Sequence, residues 1–81
     1  MFTTLLATIT LTLSPHAAVT APANTVFGNA RASIGGQRLD SNRGGDLQRF
    51  RYRGRVVLTF NGLTFRNMSS RRVRVRTSIW R

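Results

Sequence analysis

The most regular pattern of apolar and polar positions lies in the C-terminal half of the chain. From Arg49 to Phe60 the even positions are apolar apart from Gly54, while the first four odd positions are arginines. Successive side chains of a β-strand point to opposite faces of the sheet. The pattern therefore predicts a strand over 49–60 with one apolar face and one arginine face.

An Asn61-Gly62 pair follows this segment and precedes a second apolar run. Such a pair between apolar stretches is a strong hairpin signal, because a type I′ turn needs positive φ at both central positions. A two-residue turn would place Phe60 opposite Leu63 and Leu58 opposite Phe65. Pattern and turn chemistry therefore agree on a hairpin whose apolar side chains share one face.

A third strand is predicted over 72–80, where apolar residues and Thr77 alternate with arginines and Ser78. Phe65 and Val73 must share a face, which predicts an odd-length loop centred on Ser69. The predicted three-stranded meander over 49–81 would bury the apolar members of its strands: Phe50, Tyr52, Val56, Leu58, Phe60, Leu63, Phe65, Val73, Val75 and Ile79. Its opposite face would carry the arginines Arg49, Arg51, Arg53, Arg55, Arg66, Arg72, Arg74 and Arg76.

The N-terminal segment 1–14 also favours a strand, since Ala7 to Leu13 alternates apolar residues with threonine. Its apolar side would cover the meander or extend it as a fourth strand. The alternative is a secretory signal with a small-residue site at Val19-Thr20-Ala21, although no Lys or Arg precedes the apolar stretch. The expected fold is mainly β: a small antiparallel sheet that forms a sandwich or half-barrel.

The middle of the chain, residues 15–48, gives a weaker pattern. Pro15 and Pro22 favour extended linker, and only Thr25-Val26-Phe27 indicates a short strand. The following stretch to Gln48 has few large apolar residues and is rich in glycine and arginine. It is interpreted as a loop, with a basic arm that orders on RNA as the alternative.

Composition bears directly on the choice of partner. The 81 residues amount to one small domain with a formal charge of +11, and all 13 basic residues are arginine. Guanidinium groups bind phosphate or carboxylate in bidentate geometry and stack on bases. Like charges on adjacent strands destabilise a sheet. We therefore expect an anionic partner to neutralise the predicted arginine face.

The sequence offers little for catalysis. It has one His, two Asp, and no Glu, Cys or Lys. His16 lies in the predicted linker without a nearby carboxylate, and Asp40 and Asp46 are interpreted as turn formers. We therefore expect no enzyme activity, no metal or cofactor, and no small-molecule substrate.

Three functions remain open from the sequence. The first is a basic module whose arginine face contacts nucleic-acid phosphates or another polyanion inside a virion or ribonucleoprotein, with Trp80 available to stack on a base. The second is a self-assembling structural subunit of a phage particle or filament, whose arginines meet acidic protein surfaces or other subunits. The third is a secreted cationic protein that acts on anionic envelopes, for which Asn67-Met68-Ser69 would be a glycosylation sequon.

Overall fold

The computed structural model describes residues 2–81, and every regular element in this range is a strand. No helix in this range is long and apolar enough to cross a membrane. The nine strands, in chain order, are β1 (Leu5–Leu13), β2 (Ala18–Thr20), β3 (Val26–Ile34), β4 (Gln37–Arg38), β5 (Asp40–Gly44), β6 (Leu47–Tyr52), β7 (Arg55–Phe60), β8 (Thr64–Asn67) and β9 (Val73–Trp80).

The strands form two antiparallel sheets that pack face to face. We call the four-stranded sheet, with strand order β1-β9-β3-β4, sheet A, and the five-stranded sheet, with order β2-β8-β7-β6-β5, sheet B. The buried core contains side chains from both sheets. The predicted mainly-β antiparallel fold is confirmed, and its form is a sandwich.

Aromatic side chains join the two layers. Phe60 and Phe65 are cross-strand partners in sheet B, and their rings stack with centroids 4.1 Å apart. Phe27 of sheet A packs against Phe65 at a centroid distance of 5.1 Å. Because large aromatic side chains bury much apolar area, this trio contributes strongly to inter-sheet packing.

The predicted N-terminal strand is confirmed as β1. It pairs with β9 along its length, from Leu5 opposite Trp80 to Leu13 opposite Val73. Leu13 is fully buried, whereas Ile9 and Leu11 are only half-buried at the edge of sheet A. The segment therefore extends the sheet that contains β9 and does not lie across a meander.

The prediction of one strand over 49–60 is wrong. The chain reverses at Arg53-Gly54, so that Tyr52 of β6 faces Arg55 of β7. Both turn residues have positive φ, 51° and 80°, as a type I′ turn requires. The alternation continues across a two-residue turn, which is why the sequence pattern did not reveal this hairpin.

A bulge in β7 changes which valine is buried. Arg51 faces Val56, while Phe50 faces Leu58, so Val57 is the extra residue. Val57 points into the core with 7% exposure, and Val56 is only half-buried. The predicted core position of Val56 is therefore wrong, because a bulge inverts the alternation of the strand that contains it.

The hairpin at Asn61-Gly62 is present, but its loop is longer than predicted. Phe60 faces Phe65, which leaves four residues in the loop. The Asn61 side-chain oxygen accepts hydrogen bonds from the amides of Leu63 and Thr64, which stabilises this wider turn. Leu63 consequently lies outside the core at 48% exposure, contrary to the prediction.

The predicted linker and loop over 15–48 contains four strands. Two glycine-containing pairs, Gly35-Gly36 and Gly45-Asp46, are the turns of two-residue hairpins. Positive φ at Gly35, Gly36 and Gly45 explains the glycines at these positions. The high glycine content favours a loop, but here the glycines lie in the tight turns of two hairpins. Asp46 lies in a turn as expected, but Asp40 begins β5.

A bulge in β3 determines which of its side chains point into the core. The register with β9 shifts between Gly28 and Arg31, around Asn29 at φ 54°. Before the shift Phe27 is buried, and after it Ala32 is buried while Arg31 is exposed. Without this bulge Arg31 would point into the core, which would bury an unpaired charge.

The predicted hairpin between β8 and the last strand is also wrong, because β8 belongs to sheet B and β9 to sheet A. Asn67, only 1% exposed, organises this crossover. Its amide group donates to the carbonyls of Leu13, Ser14 and Arg71, and its Oδ1 accepts from the Ser69 amide and hydroxyl. One side chain thus fixes the end of β1 and the path from β8 to β9.

We predict that Asn67→Ala destabilises the fold by about 2–4 kcal/mol, because several hydrogen bonds of about 1 kcal/mol each are lost and buried carbonyls lose their donor. Asn61→Ala is the matched control. It removes an exposed side chain that also accepts two backbone hydrogen bonds, and should cost about 1 kcal/mol or less. Urea unfolding followed by circular dichroism measures both. Equal losses for the two variants would contradict this role of Asn67.

Candidate polyanion-binding face

The eight arginines predicted to share one face are divided between the two layers. Arg74 and Arg76 belong to β9 in sheet A, with Arg72 just before it. Arg49, Arg51 and Arg66 lie on strands of sheet B, and Arg53 and Arg55 lie at the β6–β7 turn. The prediction that all eight share one face is therefore wrong, because β9 belongs to sheet A whereas β8 belongs to sheet B. The alternating sequence pattern does not reveal this change of sheet.

The outer face of sheet A brings arginines of three strands together. Arg76 has Thr10 of β1 on one side and Arg31 of β3 on the other. In the neighbouring row, Arg74 faces Ser33, and Ser33 faces Arg38 of β4. We call the exposed arginines of this surface the basic face: Arg31, Arg38, Arg72, Arg74 and Arg76.

Three shallow grooves run across the basic face. Their volumes are about 360, 320 and 200 Å³, and each is lined by at least two of its arginines. Thr8, Thr10 and Thr12 of β1 supply hydroxyl groups along one side. No Asp or Glu lines any of these grooves. The face therefore offers donors and positive charge without a competing carboxylate.

Arg31 and Arg76 are direct cross-strand partners, so two like charges lie side by side on the basic face. Opposite side chains of an antiparallel pair begin about 5 Å apart at Cβ. The guanidinium groups of Arg31 and Arg76 extend from these positions and line the same two grooves, where like charges repel each other. A bound anion between the two guanidinium groups would convert this repulsion into attraction.

The sequence pattern does not predict Arg31 and Arg38 as site residues, because it favours a loop for their segment. A signal for them is present in the sequence. Arg31-Ala32-Ser33-Ile34 alternates, and it is followed by Gly35-Gly36 and then by Gln37-Arg38-Leu39. The core positions of this segment are Ala32 and Ile34, without an aromatic residue, which makes the alternation less visible than that of the aromatic strands.

Two arginines of sheet B are less accessible than those of the basic face, whereas Arg43, Arg55 and Arg66 are exposed. Arg49 and Arg51 are half-buried, and Arg51 donates a hydrogen bond to the side-chain oxygen of Asn42. Asp40 is the cross-strand partner of Arg51 and places a carboxyl group on the same strand pair. Arg66 is exposed beside Thr59. This surface is consequently less suited than the basic face to a long anionic ligand.

A separate groove of about 520 Å³ surrounds Tyr52 at the β6–β7 turn. The guanidinium carbons of Arg53 and Arg71 lie 5.2 and 5.5 Å from the centre of its ring. Tyr52, predicted as core, is half-buried and acts as a platform for these two cations. Arg55 and His16 also line the groove.

Trp80 packs within the chain. A Cβ atom at Gly28 would lie 3.0 Å from the indole Nε1, so the ring rests against the glycine backbone. The side chain is half-buried at the end of β9. The Gly28 backbone thus already covers part of the indole ring, whereas the hypothesis of base stacking requires a free ring.

The described residues contain no group of three or more His, Cys, Asp or Glu side chains that could hold a metal ion. Comparison of the chain with protein-family models, curated proteins and solved structures finds no match to any of them. The fold and surface define the chain as a small antiparallel β-sandwich with a basic outer face.

We predict that Arg53→Asn stabilises the fold by about 0.5–1 kcal/mol. Arg53 adopts positive φ, which asparagine tolerates better than other non-glycine residues, and Asn-Gly is the preferred type I′ pair. Thermal unfolding of the variant beside the wild type measures the change. A lower melting temperature of the variant would contradict the prediction. It would mean that the lost Arg53–Tyr52 contact stabilises the fold more than the relief of positive-φ strain does.

Proposed function

We propose that the protein is a non-enzymatic binding module whose basic face holds the phosphate backbone of a nucleic acid, or an equivalent polyanion, within a larger assembly. The observation that carries the proposal is the cross-strand pair Arg31–Arg76 on an open surface, continued by Arg74 and Arg38. Folding places these like charges together, and an anionic partner would offset their repulsion.

Guanidinium chemistry favours phosphate as the anion. Arginine can bind two oxygens of one phosphate through parallel N–H donors. Ser33 and the β1 threonines lie beside the arginines and can donate further hydrogen bonds to phosphate oxygens. Because the binding groups are chiefly charges and hydroxyls, the module would discriminate weakly between base sequences.

Such binding should depend steeply on salt. Each phosphate that is neutralised releases condensed counterions, with a slope of about −0.7 in log K against log salt per contact for single strands. Engagement of the whole basic face would give a slope of about −3.5. An acidic protein surface would show a different salt dependence, because it has no condensed counterion layer of this density.

The test compares two triple variants of equal charge. Arg31→Gln, Arg74→Gln and Arg76→Gln together remove the centre of the basic face. Arg43→Gln, Arg49→Gln and Arg66→Gln remove the same charge from sheet B. Fluorescence anisotropy with a labelled mixed-sequence single strand across a salt series should show the slope falling by about 2 in the first variant. Affinity at low salt should fall at least tenfold.

The sheet B variant is the control, and its slope should change by less than half as much. Equal effects of the two variants would mean that net charge alone governs binding and would contradict a dedicated face. Absent or salt-insensitive binding by the wild type would overturn the proposal and favour an acidic protein surface as the partner.

A further inference from the structure

Strand β1 forms an open edge of sheet A, since β9 is its only partner among the described residues. We infer that this edge pairs antiparallel with β1 of a second copy of the chain. The strand has nine residues and contains no charged residue, proline or glycine. Long, uncharged edges with free backbone N–H and C=O groups recruit another strand unless some feature blocks them.

The other outermost strands of the two sheets are short or carry charge, and the part of β3 that β4 does not cover contains Gly28 and Arg31. Strand β2 has three residues and β4 has two, of which one is Arg38. Strand β5 has five residues, among them Asp40, Arg43 and Gly44. Short strands and edge charges are the features that prevent edge-to-edge pairing. Within residues 2–81, the β1 edge alone lacks these features.

The core is incomplete on this side of the sandwich. Ile9 and Leu11 of β1 are half-buried, while Val73 and Val75 of the neighbouring central strand have no exposed surface. At the far end of β1, Leu5 and Leu6 are 51% and 46% exposed. A further strand along this edge would remove apolar surface of these four β1 side chains from water, which would stabilise association.

The sequence of β1 is complementary to itself. Consider two copies of β1 paired antiparallel about a twofold axis. In registers centred on Ile9 or on Thr10, odd-numbered residues lie opposite odd-numbered residues and even-numbered residues lie opposite even-numbered ones. Threonines then face threonines on the outer surface, and apolar side chains face apolar ones on the core side. An isologous contact of this type closes a dimer and leaves no second β1 edge exposed.

Charge also favours a second copy at this edge over the others. In the pair, the nearest arginine-bearing strands are the two copies of β9, separated by three strand spacings of about 4.8 Å, or roughly 14 Å. This exceeds the Debye length of about 8 Å at physiological salt, so their repulsion is largely screened. Pairing through β4 or β5 would instead bring Arg38 or Arg43 directly against the partner chain.

The dimer would contain one continuous sheet of eight strands, twice the four of sheet A. The twofold axis would be perpendicular to this sheet, so both basic faces would lie on the same surface. The inference does not rest on the proposed function, because it concerns association of the chain in the absence of any anion.

Light scattering of the nucleic-acid-free protein over a concentration series tests the inference. We expect the molar mass to rise from that of one chain towards that of two. Thr10→Lys, at an exposed position, places like charges close together across the pair and should weaken the dimer at least tenfold. Thr10→Val, an uncharged β-former of similar size, is the matched control and should retain dimerisation.

Salt gives a second readout with a definite sign, since higher salt screens the residual repulsion and should strengthen the dimer. Amide hydrogen exchange of the wild type at low and high concentration should show added protection in β1 and little change in β5. A monomer at all concentrations would overturn the inference. So would an oligomer in which β1 gains no protection, or one that Thr10→Lys leaves intact.

Discussion

The side chain of Asn67 is the constraint on which the arrangement of both layers depends. Its amide satisfies backbone carbonyls at the end of β1 and at Arg71, and its oxygen holds the Ser69 turn. A buried asparagine with all its polar atoms paired defines one path for the chain, because any other path would leave those groups without partners. That path carries the chain from β8 in sheet B to β9 in sheet A, where β9 lies between β1 and β3.

The position of β9 determines where the charge lies. Its valines complete the core, and its arginines meet Arg31 and Arg38 on the outer surface. The arginines of β6 and β8 are left on the opposite layer. A sandwich of this size exposes two outer faces, so a chain with 13 arginines carries charge on both. The layers differ because the acidic residues and the Asn42 contact lie on or beside the strands of sheet B.

Sequence patterning predicted the fold class, the N-terminal strand and the hairpin around Asn61-Gly62. It failed where the backbone departs from regular alternation: at the Arg53-Gly54 turn, at the bulges near Val57 and Asn29, and at the crossover held by Asn67. Bulges and crossovers depend on contacts between residues distant in sequence, which a period of two cannot encode. The arginines of β9 were predicted as site residues from the pattern, but their partners Arg31 and Arg38 required knowledge of which strands are neighbours.

The proposed function requires that anion binding be localised to the outer surface of sheet A. Heteronuclear NMR of the labelled protein, titrated with an unlabelled single-stranded oligonucleotide at low salt, tests it most directly. We expect the amide and guanidinium signals of Arg31, Arg38, Arg74 and Arg76 to shift in a saturable manner, while those of Arg49, Arg51 and Arg66 change little. Equal shifts on both layers, or shifts confined to sheet B, would contradict it.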